Sequence, residues 1–362
     1  MKINRSRLSF WVDIIGSQLP NSKSALNIHK AIVIQPTEDG KSIHLRANSD
    51  IHAFDVGPIE AVDPFAVAID AASLKHALGT AGEWVEFEDL SDIVKISIGE
   101  TQFDLNRENI DAFVFPDTEG PYNDLNSLTR KALLTMLNQA QPFLGKDATQ
   151  PYLMGVLFVD KFIYATDLLQ AVRFDTGVQI ADEPINFIPE TVIAFLNAGG
   201  RDESPVSISL NDNWVLIACG PFRVYSRRFA TRGEYQYPRI DEEIDKCKLL
   251  TAFVELEVKS LREGIERVSF FAETKIVRII AQQANIRIEA FRGKRVIAKA
   301  KLVGVSNLAQ PIEYLLALDH LDRLSKTEAD RIRFQVGKSS DHWFIPSENS
   351  FCFTSTAEAI DN

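Results

Sequence analysis

Apolar and polar residues alternate with a period of two along most of this 362-residue chain. Ser42-Ile43-His44-Leu45-Arg46, Val94 to Ile98, Val206 to Leu210, Val254 to Val258 and Arg331 to Val336 all follow the pattern. Each predicts a strand with one buried and one wet face, hence antiparallel sheets rather than a doubly wound parallel core. Six stretches instead repeat with the helical period. Leu8, Trp11, Val12 and Ile15 share a face in the first; the second covers Asp70 to Leu78, the third Asp124 to Leu137. The fourth follows Pro189 to Leu196, the fifth aligns Leu261, Ile265 and Val268, and the sixth follows Pro311 with Leu315, Leu318 and Leu321. Their starts, near 5, 70, 124, 189, 259 and 311, are spaced by about a sixth of the chain. One helix followed by several strands, used six times in three pairs, explains that spacing.

Composition narrows the class of function. With 45% apolar and 25% charged residues, the chain has material for sizeable cores. No run reaches the roughly 18–20 apolar residues of a membrane span, and no apolar segment follows Met1 to Arg5 as in a signal peptide. Cys219, Cys247 and Cys352 are scattered without a CxxC, which argues against a disulfide scaffold or zinc site and fits a reducing cytoplasm. The six histidines form no i,i+4 pair, and HExxH, GxSxG, GxGxxG and DFG are all missing. Asp167, after the strand Phe162 to Thr166, reads as a turn former rather than an acid or base. Neither an enzyme, a metal site nor a cofactor is expected. The net charge of −11 counts against a tightly gripping nucleic-acid binder, but not against one that gathers basic residues on one surface.

Around Asp167 the sequence becomes specific. Pro151 to Phe158 followed by Tyr164-Ala165-Thr166-Asp167 resembles the second domain of the bacterial sliding clamp, the beta subunit of DNA polymerase III. Phe187-Ile188-Pro189 resembles that family's helix entry, and Gly233 to Pro238 its segment before the third domain. Met1-Lys2-Ile3 and Arg267-Val268-Ser269-Phe270-Phe271-Ala272 extend the likeness to both ends. The chain departs from the family in three places. Leu168-Leu169-Gln170 stands where the family has Gly-His-Arg, Asp241-Glu242-Glu243 replaces a basic position, and the tail from Thr354 to Asn362 is not a short apolar one. This is the pattern of a divergent member, with bacterial, phage and plasmid sources all open.

The resemblance implies an α+β clamp fold of three similar domains, 1–120, 124–246 and 251–362, each with two helices and antiparallel sheets. It further implies a non-enzymatic, cytoplasmic processivity factor: a head-to-tail homodimeric ring that encircles duplex DNA and tethers the replicative polymerase. Sliding demands weak contact to the phosphate backbone without sequence readout, since each contact breaks at every step. The candidate contacts are Arg5, Arg7, Lys75, Arg130, Lys131, Lys259 and Arg262 on the helical stretches, with Lys23 and Lys146 in polar loops. Phe103 and Leu105, on the strand from Thr101, resemble the dimerising edge, and Phe270 with Phe271 its apolar complement. Polymerase and clamp loader would dock short linear peptides at Leu153, Thr166, Leu168, Leu169, Pro238, Glu242 and Thr356, an apolar slot with an acidic rim. The altered slot and the balanced charge of the helical stretches leave a second reading open, a clamp-fold interaction ring or decoy that has lost DNA tethering.

Overall fold

The computed structural model describes residues 1–20, 25–116, 121–125, 127–229, 237–326, 329–336, 342–347 and 350–355. One succession of elements recurs three times: a strand, a helix, three meandering strands and a fourth, then a second helix and three more strands. The first round runs β1 (Lys2–Asn4), α1 (Arg5–Gln18), β2 (Ala31–Pro36), β3 (Ser42–Asn48), β4 (His52–Val62) and β5 (Val67–Asp70). Helix α2 (Ala71–Leu78) with β6 (Trp84–Asp89), β7 (Ile93–Ile98) and β8 (Thr101–Asn106) completes it. A short β9 (Asn123–Asp124) precedes the second round, which begins β10 (Leu128–Thr129), α3 (Arg130–Ala140), β11 (Val156–Asp160) and β12 (Phe162–Thr166). It continues through β13 (Gln170–Asp175), β14 (Ala181–Phe187), α4 (Glu190–Ala198), β15 (Pro205–Leu210), β16 (Trp214–Cys219) and β17 (Phe222–Arg227). After α5 (Ile240–Lys248) the third round begins with β18 (Ala252–Glu257), α6 (Val258–Ser269), β19 (Ile276–Gln282), β20 (Asn285–Arg292) and β21 (Arg295–Leu302). It closes with β22 (Gly304–Ser306), β23 (Ile312–Ala317), α7 (Leu318–Ser325), β24 (Arg331–Val336), β25 (His342–Ser347) and β26 (Ser350–Ser355).

By internal contacts the chain divides into two units, Met1–Leu137 with Phe187–Phe229, and Asn138–Asn186 with Ala230–Asn362. In the first, one sheet runs β10-β15-β16-β17-β4-β1-β6-β7-β8, and β3, β2 and β5 continue from β4. The second holds β14-β11-β12-β13-β26-β25-β24-β18-β22 and a separate sheet of four, β21-β20-β19-β23. Strand β4 therefore joins the first round to the second through β17, and β13 joins the second to the third through β26. The β4–β17 seam is a core. Phe54 stacks on Phe195 of α4 at 5.0 Å, and Trp11 of α1 and Phe222 of β17 close around Phe195. Burying each such aromatic contributes about 1.5–3 kcal/mol.

The helices start where the chain supplies caps. The Asn4 side chain accepts from the Arg7 amide, and Asp70 accepts from both the amide and the hydroxyl of Ser73. Inward faces are the expected ones: Leu8, Trp11, Val12 and Ile15 on α1, and Leu261, Ile265 and Val268 on α6. Gly264 lets α6 sit close to its sheet, since a Cβ there would meet Leu302 Cδ2 at 2.5 Å. No helix among the described residues is long and apolar enough to cross a membrane.

Three sequence expectations need correction. The third helix begins at Arg130, not Asp124, because buried Leu128 pairs in a strand with Val206 and the Thr129 hydroxyl caps the Ala132 amide. The sixth begins at Leu318, not Pro311; Tyr314 and Leu316 alternate inward as β23 along β19. A further helix, α5, for which the sequence reading had no place, occupies the acidic stretch Ile240–Lys248. Its signal was Ile240, Ile244 and Cys247, spaced i, i+4, i+7 and all buried.

Candidate functional site

The turn between β12 and β13 is built by its own side chains. Thr166 donates to the Gln170 carbonyl at 2.6 Å and accepts from the Leu168 amide at 3.0 Å. Asp167 Oδ1 accepts from the amides of Leu169 (3.0 Å) and Gln170 (2.7 Å), the turn-forming role read from the sequence. Leu168 is thereby held at φ +73°, a left-handed conformation that disfavours a side chain. Both leucines point outward, 53% and 55% exposed. Beneath them Arg323 of α7 donates to Asp167 Oδ2 at 3.1 Å and to Gln170 Oε1 at 3.0 Å. Gln170 is fully buried, so the turn is pinned to α7. His320, one turn before Arg323, is driven below the ordinary imidazole pKa by burial, against the pull of Asp167.

Helix α5 packs beside this turn on the same sheet. Ile240, Ile244 and Cys247 form a buried cluster with Leu157, Tyr164, Ala171 and Tyr237. Asp241 ties the helix down, accepting from Arg173 Nη1 and from Tyr164 Oη, each at 2.7 Å. Burial first, then Asp241, pushes the Tyr164 phenol upward, and burial pushes the Cys247 thiol up to about 12. Neither is a reactive group at neutral pH. Of the residues expected to line a peptide slot, Leu153 and Thr166 are buried, Pro238 is half-buried, and Leu168 and Leu169 are exposed. Glu242 faces solvent on α5, paired with Arg239 at 2.9 Å, and Thr356 lies outside the described residues. Arg323, Gln170 and Asp241 hold this region together; the sequence marked Gln170 and Asp241 only as departures from the family's pattern, and their partners come from other elements.

The candidate DNA contacts fall into two groups. Arg5 donates to the carbonyls of Leu78 (2.9 Å) and Gly82 (2.6 Å) at the end of α2. Arg130 repeats this at the end of α4, to Leu196 (2.5 Å) and Arg201 (3.2 Å), and adds Asp202. Arg262 donates to Ser325, the last residue of α7, at 2.6 Å. In each round an arginine of the first helix thus satisfies open carbonyls where the second helix ends. The other cations are exposed. Arg7 pairs with Glu60 at 3.4 Å, Lys75 with Asp13 at 3.1 Å, and Lys131 approaches Asp202 at 3.8 Å. Lys146 and Lys259 are exposed as well, and Lys23 lies outside the described residues.

Of the outer strands of the sheets, β8 pairs with β7 alone over Thr101–Asn106, and β21 with β20 alone, among the described residues. Phe103 and Leu105 on β8 are half-buried between exposed Gln102, Asp104 and Asn106. Phe270 and Phe271, at the end of α6, are 87% and 42% exposed and meet edge to face at 5.2 Å. The two rings thus form an exposed apolar pair at the end of the helix.

No family model and no curated protein sequence matches the chain. Solved structures match it end to end. A DNA polymerase III beta subunit from Pseudomonas aeruginosa superposes with a TM-score of 0.86 at 14% identity, covering 99% of each chain. A putative DNA polymerase III beta subunit from Eubacterium rectale gives 0.86 at 15% identity, again over 99% of each. The Bacillus subtilis sliding clamp gives 0.85 at 16%, over 99% of this chain and 98% of that one. This chain has, along its whole length, the sliding-clamp fold of the bacterial DNA polymerase III beta subunits.

Proposed function

We propose that this protein is a DNA polymerase processivity factor, a non-enzymatic homodimeric ring that encircles duplex DNA. In this reading the three rounds of elements are three clamp domains, 1–120, 124–246 and 251–362. The observation that carries it is a pair of matching free edges. In the first and second rounds the third strand after the first helix, β4 and β13, pairs with the last strand of the following round, β17 and β26. The third round's equivalent, β21, has no such partner among the described residues, and neither does β8, the last strand of the first round. Two copies joined head to tail pair each β8 with the other copy's β21, at both seams of the ring.

Helix equivalence supports the same seam. At the β4–β17 junction Gln18, at the end of α1, accepts from Thr191 of α4 at 3.2 Å. Leu8, Val12 and Ile15 of α1 correspond in spacing to Leu261, Ile265 and Val268 of α6, which sets Phe271 at the place of Gln18. Phe271 and its neighbour Phe270 would then meet the second copy. Arg7, Lys75, Lys131, Lys146, Lys259 and Lys23 would supply the sparse phosphate contacts; Arg5, Arg130 and Arg262 serve the fold. Polymerase and loader peptides would dock beside the Leu168–Leu169 turn.

The reading is tested on nicked circular DNA. A loaded ring stays on the circle and leaves when it is linearised, and the free protein has twice the 40.6 kDa chain mass. A protein-interaction ring without a DNA role is favoured by one observation: Arg7, Lys75 and Lys131 already face acidic partners. That alternative predicts the doubled mass with no retention on either DNA form.

A further inference from the structure

The hairpins β3–β4, β12–β13 and β20–β21 hold equivalent places in the three rounds, and their turns close at Ser49–His52, Asp167–Gln170 and Arg292–Arg295. Counting three residues back from each turn gives Arg46, Tyr164 and Glu289. Opposite them lie Asp55, Arg173 and Lys299, the last set one residue further along by the bulge at Ala290/Phe291. In the first two rounds the chain's own connecting segment covers this place. Phe115 lies over the Arg46 guanidinium at 4.7 Å, in a cluster with Ala53, Trp214 and Tyr225. Helix α5 seats Ile240, Ile244 and Cys247 against Leu157, Tyr164 and Ala171, and its Asp241 accepts from Arg173 at 2.7 Å. The third place has no such cover among the described residues, and Lys299 is exposed.

Lys299 belongs to a basic sheet face. Lys301 pairs with Arg287, Lys299 with Glu289, and Glu289 with Arg278, so these side chains share the face turned away from α6. Glu313 of β23 lies on it too, opposite Ile280. Both carboxylates are committed to arginine. Glu289, buried, accepts from Arg278 and Arg287, each at 2.7 Å, and Glu313 accepts from Arg278 at 2.8 Å. Lys299 and Lys301 are exposed, with no ion pair among the described residues. We propose that this face docks an acidic amphipathic segment of another protein. Its carboxylates meet Lys299 and Lys301, and its apolar residues rest on Ile280, Phe291 and Leu315, all half-buried. Helix α5 displays the same chemistry on the equivalent second-round face, where its apolar side bears on the sheet and Asp241 holds Arg173, the counterpart of Lys299. Charge complementarity sets the sign of the partner in a chain whose net charge is −11. The same segment is disfavoured beside Leu168 and Leu169, where the acidic first turn of α5 repels it. The surface stands or falls apart from the ring reading.

Fluorescence anisotropy of the full chain with two labelled peptides tests the surface. One peptide carries the sequence of residues 239–249, an acidic amphipathic probe; the other carries it with Asp241→Asn, Glu242→Gln, Glu243→Gln and Asp245→Asn. At low ionic strength the acidic peptide should bind saturably and about tenfold more tightly than the amide version. Lys299→Gln with Lys301→Gln should weaken the acidic peptide about fivefold. Both lysines are exposed on a sheet surface, so the double variant keeps the fold, and circular dichroism checks it. Equal binding of the two peptides, or binding undiminished in the double variant, overturns the docking surface. So does a duplex oligonucleotide that binds through Lys299 and Lys301 while the acidic peptide does not, since the cations then serve phosphates. None of these results depends on the chain mass in solution or on retention on circles, which decide the ring reading.

Discussion

Arg130 donates to the backbone carbonyl of Leu196 at 2.5 Å, and its side chain is only 13% exposed. The cation that opens α3 is thereby committed to the end of α4 rather than offered to a ligand. Charged hydrogen bonds to buried partners are worth about 1.5–3 kcal/mol. Arg130→Ala should therefore lower the unfolding free energy by about 2 kcal/mol in a urea titration. Retention of the folded protein on DNA circles should be little changed, while Lys131→Glu, on the next and exposed residue, should do the reverse.

Leu168 sits in left-handed backbone with its side chain largely in water, so it bears strain and gains little burial. Glycine has no such penalty there; the left-handed state costs other residues roughly 1–2 kcal/mol. Leu168→Gly should leave stability unchanged or raise it by about 1 kcal/mol, and Leu168→Ile should lower it. Chemical denaturation of both variants checks the order.

Phe270 and Phe271 are the paired apolar side chains assigned to the subunit seam. Replacing both by Glu should turn the dimer into a monomer, because burying unpaired charge costs several kcal/mol. Sedimentation at micromolar concentration with circular dichroism decides it. A folded dimer would return these residues to ordinary surface.

Peptide binding should follow the acidity of α5. Asp241, Glu242 and Glu243 fill its first turn beside the turn bearing Leu168 and Leu169. A Leu- or Phe-bearing peptide with basic flanks should bind more tightly than the same core with acidic flanks. Fluorescence anisotropy compares the two, and equal tight binding would show that the helix does not tune the site.

His52 is buried with Nδ1 unbonded, and burial lowers its pKa from 6.5 to about 4. Between those values the unfolded chain takes up a proton that the folded chain refuses, so stability rises with pH. The loss from pH 7 to pH 4 is on the order of 3 kcal/mol from this residue alone. His52→Phe should flatten the pH dependence of the urea midpoint between pH 6.5 and 5.

Local periodicity by itself determined the antiparallel α+β class, the strands from 42, 94, 206, 254 and 331, and the apolar faces of α1 and α6. Burial of one face is a local demand, so it is written at intervals of two or 3.6 residues. The turn role of Asp167 was legible for the same reason: its hydrogen-bond partners lie two and three residues away. Only the tertiary structure decided where the arginines go. Arg5 and Arg130 look like Arg7 and Lys131 in the sequence, but their guanidinium groups end on carbonyls more than 65 residues distant. The same holds for Asp241 with Tyr164 and for Arg323 with Asp167, pairs that no spacing along the chain encodes. The open edges β8 and β21 belong to this second class as well, because whether a strand has a neighbour depends on which other strands fold beside it.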